Sequence, residues 1–305
     1  MASTVSLPGG GKTSFTLPVG ADASSALQAA ILSEFKAAGK NITLNSVASK
    51  AAGKAGFFNA VVNTVTSNVS LSAGTGVQAV FALGTGKDTL VGNTSTSLLY
   101  GNASDTKGDS FSVAGKTTVF GTAGADTLSV GTGANATAYL EGGANIVTLV
   151  GSDTLTVAGT GTASITGGAS GKEVVSLSTG ATTIKAGAAS ISVVGGTGAI
   201  TFTHGKGGTD TVSTSATSGT FTGALGSTGG DTFNIGLVSS GKFVINSFSG
   251  ATDKINIVGA TAAQIKTALS GAHATLKGGV TTTELTVGTE KITVVGGAVT
   301  KTNFT

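Results

Sequence analysis

The chain of 305 residues has no cysteine, no arginine and no tryptophan, and only two prolines. Without cysteine there is no disulfide, no thiolate metal site and no cysteine nucleophile. Without arginine, all 17 basic side chains are lysines, which lack the forked donor that grips phosphates and base edges. The lysines are scattered, so a net charge of +3 does not point to nucleic acid as a partner. His204 and His273 are the only histidines, and neither has an acidic neighbour in sequence. No G-x-S-x-G elbow occurs either, so neither a zinc site nor a Ser-His-Asp triad is expected, and the chain does not read as an enzyme. Gly11-Lys12-Thr13 imitates a phosphate loop, but Ser6 stands where that motif needs its first glycine. The uncharged run over residues 55–86 is rich in Asn, Thr, Ser and Gly, which argues against a transmembrane helix. The first residues show no basic leader followed by an apolar stretch, so no secretory signal peptide is read there.

What the sequence has in abundance is glycine, 50 residues of it, with Thr, Ser, Ala and Val. That composition describes an all-β protein with many tight turns. Residues 226–258 show the pattern most clearly: Phe233 and Ile235, Phe243 and Ile245, and Ile255 and Ile257 each stand two apart with polar neighbours. A period of two is the mark of a half-buried strand. Upstream, apolar centres fall at Val113, Val119, Leu128, Tyr139, Val147, Leu155, Ile165, Val175, Ile184, Ile191 and Ile200. Their mean spacing of about nine residues matches a short strand plus a turn. Two such units per coil predict a parallel β-solenoid of about eighteen residues per turn, and an antiparallel β-sandwich has a similar strand spacing.

Three regions are read. Residues 1–70 form an N-terminal arm and helical cap, 71–225 a Gly/Thr-rich solenoid, and 226–305 a C-terminal β domain. In the first, Asp22 or Ser24 caps a helix whose Leu27, Ile31 and Phe35 share one face, with Gly39 closing it. A second short helix over residues 48–62 would present Phe57, Phe58, Val61 and Val62 as an apolar cap, since an uncovered terminal coil invites other chains. Val5, Leu7, Phe15 and Leu17 in the arm are candidates to dock on a neighbouring subunit.

Five turns share a glycine two residues before an Asp-Thr-apolar unit, at Asp88, Asp126, Asp153, Asp210 and Asp231. Glycine allows positive φ, aspartate bonds the turn backbone, and threonine starts the next strand. Residues 121–130, GTAGADTLSV, and 83–92, LGTGKDTLVG, resemble the glycine-aspartate nonapeptides of the repeats-in-toxin, or hemolysin-type calcium-binding, family. Asp231-Thr232-Phe233, Val244-Ile245 with Phe248, and Asp253-Lys254-Ile255 with Ile257 resemble that family's C-terminal region, in which a helix (here residues 261–269) and final strands follow.

The resemblance implies a β-roll, export by a type I secretion machinery to the cell surface or medium, and calcium held by the five aspartates. Those aspartates lie 38, 27, 57 and 21 residues apart, so most coils are expected to lack a carboxylate, which favours turn aspartates over calcium ligands. The function read from the whole is an extracellular structural protein assembling with its own copies into a fibre, surface layer or biofilm matrix. A calcium-binding adhesin or a surface- or ice-binding module is the alternative.

Overall fold

Alternating apolar residues form stable strands only where their buried faces meet a second sheet. In the computed structural model this is achieved by a parallel β-solenoid, and among the described residues one short α-helix, Ala262–Ser270, accompanies the strands. The structure describes residues 2–6, 14–18, 42–45, 58–223, 229–238 and 240–304, with side chains described from residue 60 onward. The chain divides into two compact units, Met1–Thr162 and Ala163–Thr305. Within each, strands alternate between two sheets, and coil strands pair in parallel with the strand one coil away. That parallel register sets aside the antiparallel sandwich.

In the first unit, register stacks like on like. Leu71, Leu90, Phe111, Leu128 and Val147 lie in one column, each paired in register with the next. Val61, Val80, Leu99, Val119, Ala138 and Leu155 form the facing column in the other sheet. All are buried. Each large aliphatic or aromatic side chain removed from water contributes about 1.5–3 kcal/mol, so these columns are what opposes the entropy cost of so many turns. Phe81, Tyr100, Phe120 and Tyr139 make an aromatic row on the other face of the second sheet, with Phe120 and Tyr139 stacked at 5.2 Å.

The second unit repeats the device. Ile165, Ile184, Phe202, Phe221, Ile245 and Val294 form one column, and Val175, Val193, Val212, Phe233 and Ile255 the other. Every apolar centre expected from the spacing lies in a strand, and all but Tyr139 are buried. At Tyr139 the phase is one residue off, because Ala138 and Leu140 take the inward positions. Where coils turn, Gly168, Gly187 and Gly205 succeed one another so closely that a Cβ on Gly187 would collide with the Gly168 carbonyl, and one on Gly205 with that of Gly187.

The N-terminal expectations divide. Ala2–Ser6 and Ser14–Pro18 form an antiparallel hairpin with Val5 opposite Phe15 and Ser3 opposite Leu17; Leu7 lies outside the described residues. The helix expected over residues 22–39 also lies outside them. The helix considered over 48–62 does not hold at its end: Phe58–Asn63 is a strand, paired in parallel with Ile42–Asn45 and Ala79–Ala82. The β-branched pair Val61-Val62 suits a pleated, buried strand better than a helix.

At the C-terminal end, the helix Ala262–Ser270 is capped by Thr261 through a reciprocal box with Gln264. Glu290–Gly296 then joins Lys242–Phe248 in parallel, and Val280–Val287 and His273–Lys277 add to it antiparallel. Among the described residues no helix is long and apolar enough to cross a membrane.

Candidate functional site

A coil corner inside a stack has backbone N–H groups that neither water nor a sheet ladder reaches, and each needs an acceptor. In this chain aspartates supply it. Asp88, Asp109 and Asp126 each immediately precede a strand, and each sends one carboxylate oxygen to the coil before it. The Val69 N–H donates to Asp88 Oδ1 at 2.9 Å, Asp88 N–H to Asp109 Oδ1 at 2.8 Å, and Asp109 N–H to Asp126 Oδ1 at 2.8 Å. Asn145 continues the series by accepting the Asp126 N–H at 2.9 Å. The second oxygen of Asp126 accepts the Thr122 N–H of its own turn, and the Thr122 hydroxyl donates to Oδ1.

A second column stands in the other unit. Ile191 N–H donates to Asp210 Oδ1 at 2.9 Å, Asp210 N–H to Asp231 Oδ1 at 3.1 Å, and Asp231 N–H to Asp253 Oδ1 at 3.0 Å. Asp253 closes its own turn by accepting the Ser249 N–H. At Asp210 a side chain takes that local role. His204 Nδ1 lies 2.7 Å from Asp210 Oδ2 and 3.1 Å from Asp231 Oδ1, with all three side chains buried. His204 Nε2 is buried without a partner.

Stacked carboxylates in a dry interior resist ionisation. Burial lifts Asp109 to about 7, and the charges of Asp88, Asp126 and Asp105 add to the effect against the Asp88 N–H. Burial lifts Asp126 to about 6, opposed by the bonds from Asp109 and Thr122. Burial also raises Asp88 and Asp210, the latter opposed by the Ile191 N–H and by His204. Asp231 is lifted to about 6, again by burial first.

All five sequence-nominated aspartates are buried turn residues. The structure brings Asp88 and Asp126 into one column, Asp210 and Asp231 into another, and leaves Asp153 bonded to the N–H groups of Ala136, Val150 and Gly151. Calcium takes six to eight oxygens. Here each nominated carboxylate has an oxygen engaged by a backbone N–H, so these columns offer fewer free oxygens than calcium needs and are poor calcium cradles.

Two sequence expectations need correction. Carboxylates are not absent from most coils of these columns: Asp109 fills the coil between Asp88 and Asp126, and Asp253 the one after Asp231. They fall outside the Gly-x-Asp-Thr pattern because Ser110 and Lys254 follow them instead of threonine, and coils differ in length, with successive column members 17 to 22 residues apart. An Asp or Asn directly before any alternating strand is the signal that finds them. Likewise, His204 does have carboxylate partners, one of them a coil away. Compared with protein-family models, curated proteins and solved structures, the chain matches none.

Proposed function

We propose that the chain is an extracellular structural protein that assembles with its own copies, through β-strand contacts, into a fibre, surface layer or biofilm matrix. The observation that carries this reading is the strand His273–Lys277. Among the described residues it is paired only with Val280–Val287, all five of its side chains are exposed, and Leu276 is 73% and Val280 46% exposed. An uncovered strand edge presents free N–H and C=O groups to another chain.

The occupant is the N-terminal hairpin of a second copy. Among the described residues, Ala2–Ser6 and Ser14–Pro18 make a sheet of two strands. Such a ribbon is marginal by itself and gains from joining a larger sheet. The sequence of this arm is apolar at Val5, Leu7, Phe15 and Leu17, and a head-to-tail match of two different surfaces propagates without closing. Calcium is not needed for it. The resemblance of residues 231–257 to a type I secretion region supports export and a place at the cell surface.

Electron microscopy and sedimentation of the full chain test the reading, beside Leu276→Asp and a chain lacking residues 1–19. Ordered polymers are expected from the parent and monomers from both variants. Unchanged polymers from both variants, or a parent that stays monomeric, would overturn it.

A second reading rests on register. Thr183, Thr201 and Thr220 stand side by side on adjacent strands, as do Lys185, Thr203 and Thr222, and Ser164 and Thr166 precede them. These side chains face outward from the Ile165 to Phe221 column, giving a flat hydroxyl-rich face with strands about 4.8 Å apart. Such a face suits an ordered polar surface, ice included. Thermal hysteresis that disappears in Thr201→Val plus Thr220→Val would establish this reading, and its absence in the parent would dismiss the ice-binding form.

A further inference from the structure

We propose that His204, Asp210 and Asp231 form a binding site for one divalent transition-metal ion of the zinc class. A nitrogen and two carboxylate oxygens are the donor set that such ions take, and one ligand atom from each of these residues lies within 4.8 Å of the others. His204 is 7% exposed and has its Nδ1 aimed between the two carboxylates, while its other ring nitrogen has no partner. The ring is therefore oriented by the carboxylate pair alone.

Charge and size both favour this ion. When ionised, the two carboxylates put a charge of −2 in a site where all three side chains are at most 1% exposed. A divalent cation cancels it, whereas one shared proton does not. Bonds of about 2.0–2.2 Å in a tetrahedron place ligand atoms about 3.3 Å apart. The observed separations of 2.7 and 3.1 Å need to widen by about 0.6 and 0.2 Å respectively. Calcium and magnesium fit less well, because both prefer oxygen and more ligands. Water completes the fourth position.

The turn after His204 allows entry. Lys206 and Gly207 are exposed, and Gly207 and Gly208 adopt positive φ. Binding exchanges the Nδ1 proton for the metal, so one proton leaves to solvent for each ion bound and the nitrogen lone pair becomes the ligand.

The test uses the full chain, stripped with a chelator, and Zn²⁺ as the probe, with Co²⁺ as its coloured substitute. Calorimetry should give one ion per chain at micromolar affinity or tighter. With only two histidines in the chain, ¹⁵N-histidine NMR should show the His204 Nδ1 resonance move while the ring of His273 does not. His204→Gln should weaken zinc binding at least about 100-fold, and His273→Gln should leave it unchanged. No binding at about 100 μM zinc, or binding that leaves the His204 ring resonances in place, would overturn the proposal. The NMR result on the parent decides the matter even if His204→Gln does not fold.

Discussion

Acidifying this protein from pH 7 to pH 5 should raise its melting temperature, and Asp109 should be the largest single contributor to the rise. Burial and the neighbouring carboxylates lift Asp109 from 3.8 to about 7 in the folded chain. The folded state therefore holds a proton that the unfolded chain has released. A carboxyl raised in this way contributes stability that is complete below about 3.8 and is lost as pH climbs to about 7. Each proton taken up on folding changes stability by about 1.4 kcal/mol per pH unit. Because Asp109 is already half protonated at pH 7, the step to pH 5 gives about 2 kcal/mol for it, and Asp126 and Asp231, each lifted to about 6, add about 1 kcal/mol apiece. For a folding unit of this size that corresponds to about 10 °C. Differential scanning calorimetry at pH 5, 6 and 7 on the parent and on Asp109→Asn measures it. Asparagine can keep the bond to the preceding coil, as Asn145 does two coils on, but cannot titrate. The variant should therefore lose about half of the rise. A parent that melts lower at pH 5 than at pH 7, or a variant with the parent's slope, would refute the reasoning.

Two further substitutions probe the same architecture. Asp126→Ala strands the N–H groups of Asp109 and Thr122 and the Thr122 hydroxyl in the interior, and relief of the buried charge offsets part of that loss, so urea unfolding should show a cost of about 2–5 kcal/mol. Gly205→Ala drives a methyl group into the backbone carbonyl of Gly187, which cannot swing aside as a side chain could, so a loss of at least about 3 kcal/mol or failure to fold is expected by the same unfolding assay.

Strands were legible because their signal is local. Burial alternates with a period of two, so Phe233 and Ile235 or Ile255 and Ile257 declare their faces without knowledge of any partner. Parallel pairing was inferred from repeated turn chemistry, and the columns bear it out. The carboxylate columns were legible only in part, since they depend on which residues meet across coils of unequal length. Asp210 and Asp231 are 21 residues apart and Asp109 and Asp126 only 17, so no fixed period reveals both. His204 reaches Asp231 for the same non-local reason. The threonine face was hidden likewise, because Thr201 and Thr220 become neighbours only once the register is known. The strand His273–Lys277 gave no alternation to read, as both of its faces are exposed.

The most direct test of self-assembly is amide hydrogen exchange on the full chain, compared between dilute monomer and sedimented polymer. Pairing with a second copy's N-terminal hairpin should slow exchange across residues 273–277 and 2–18 on assembly, while the buried coil strands exchange slowly in both states. Polymers in which residues 273–277 exchange as fast as in the monomer would contradict the account.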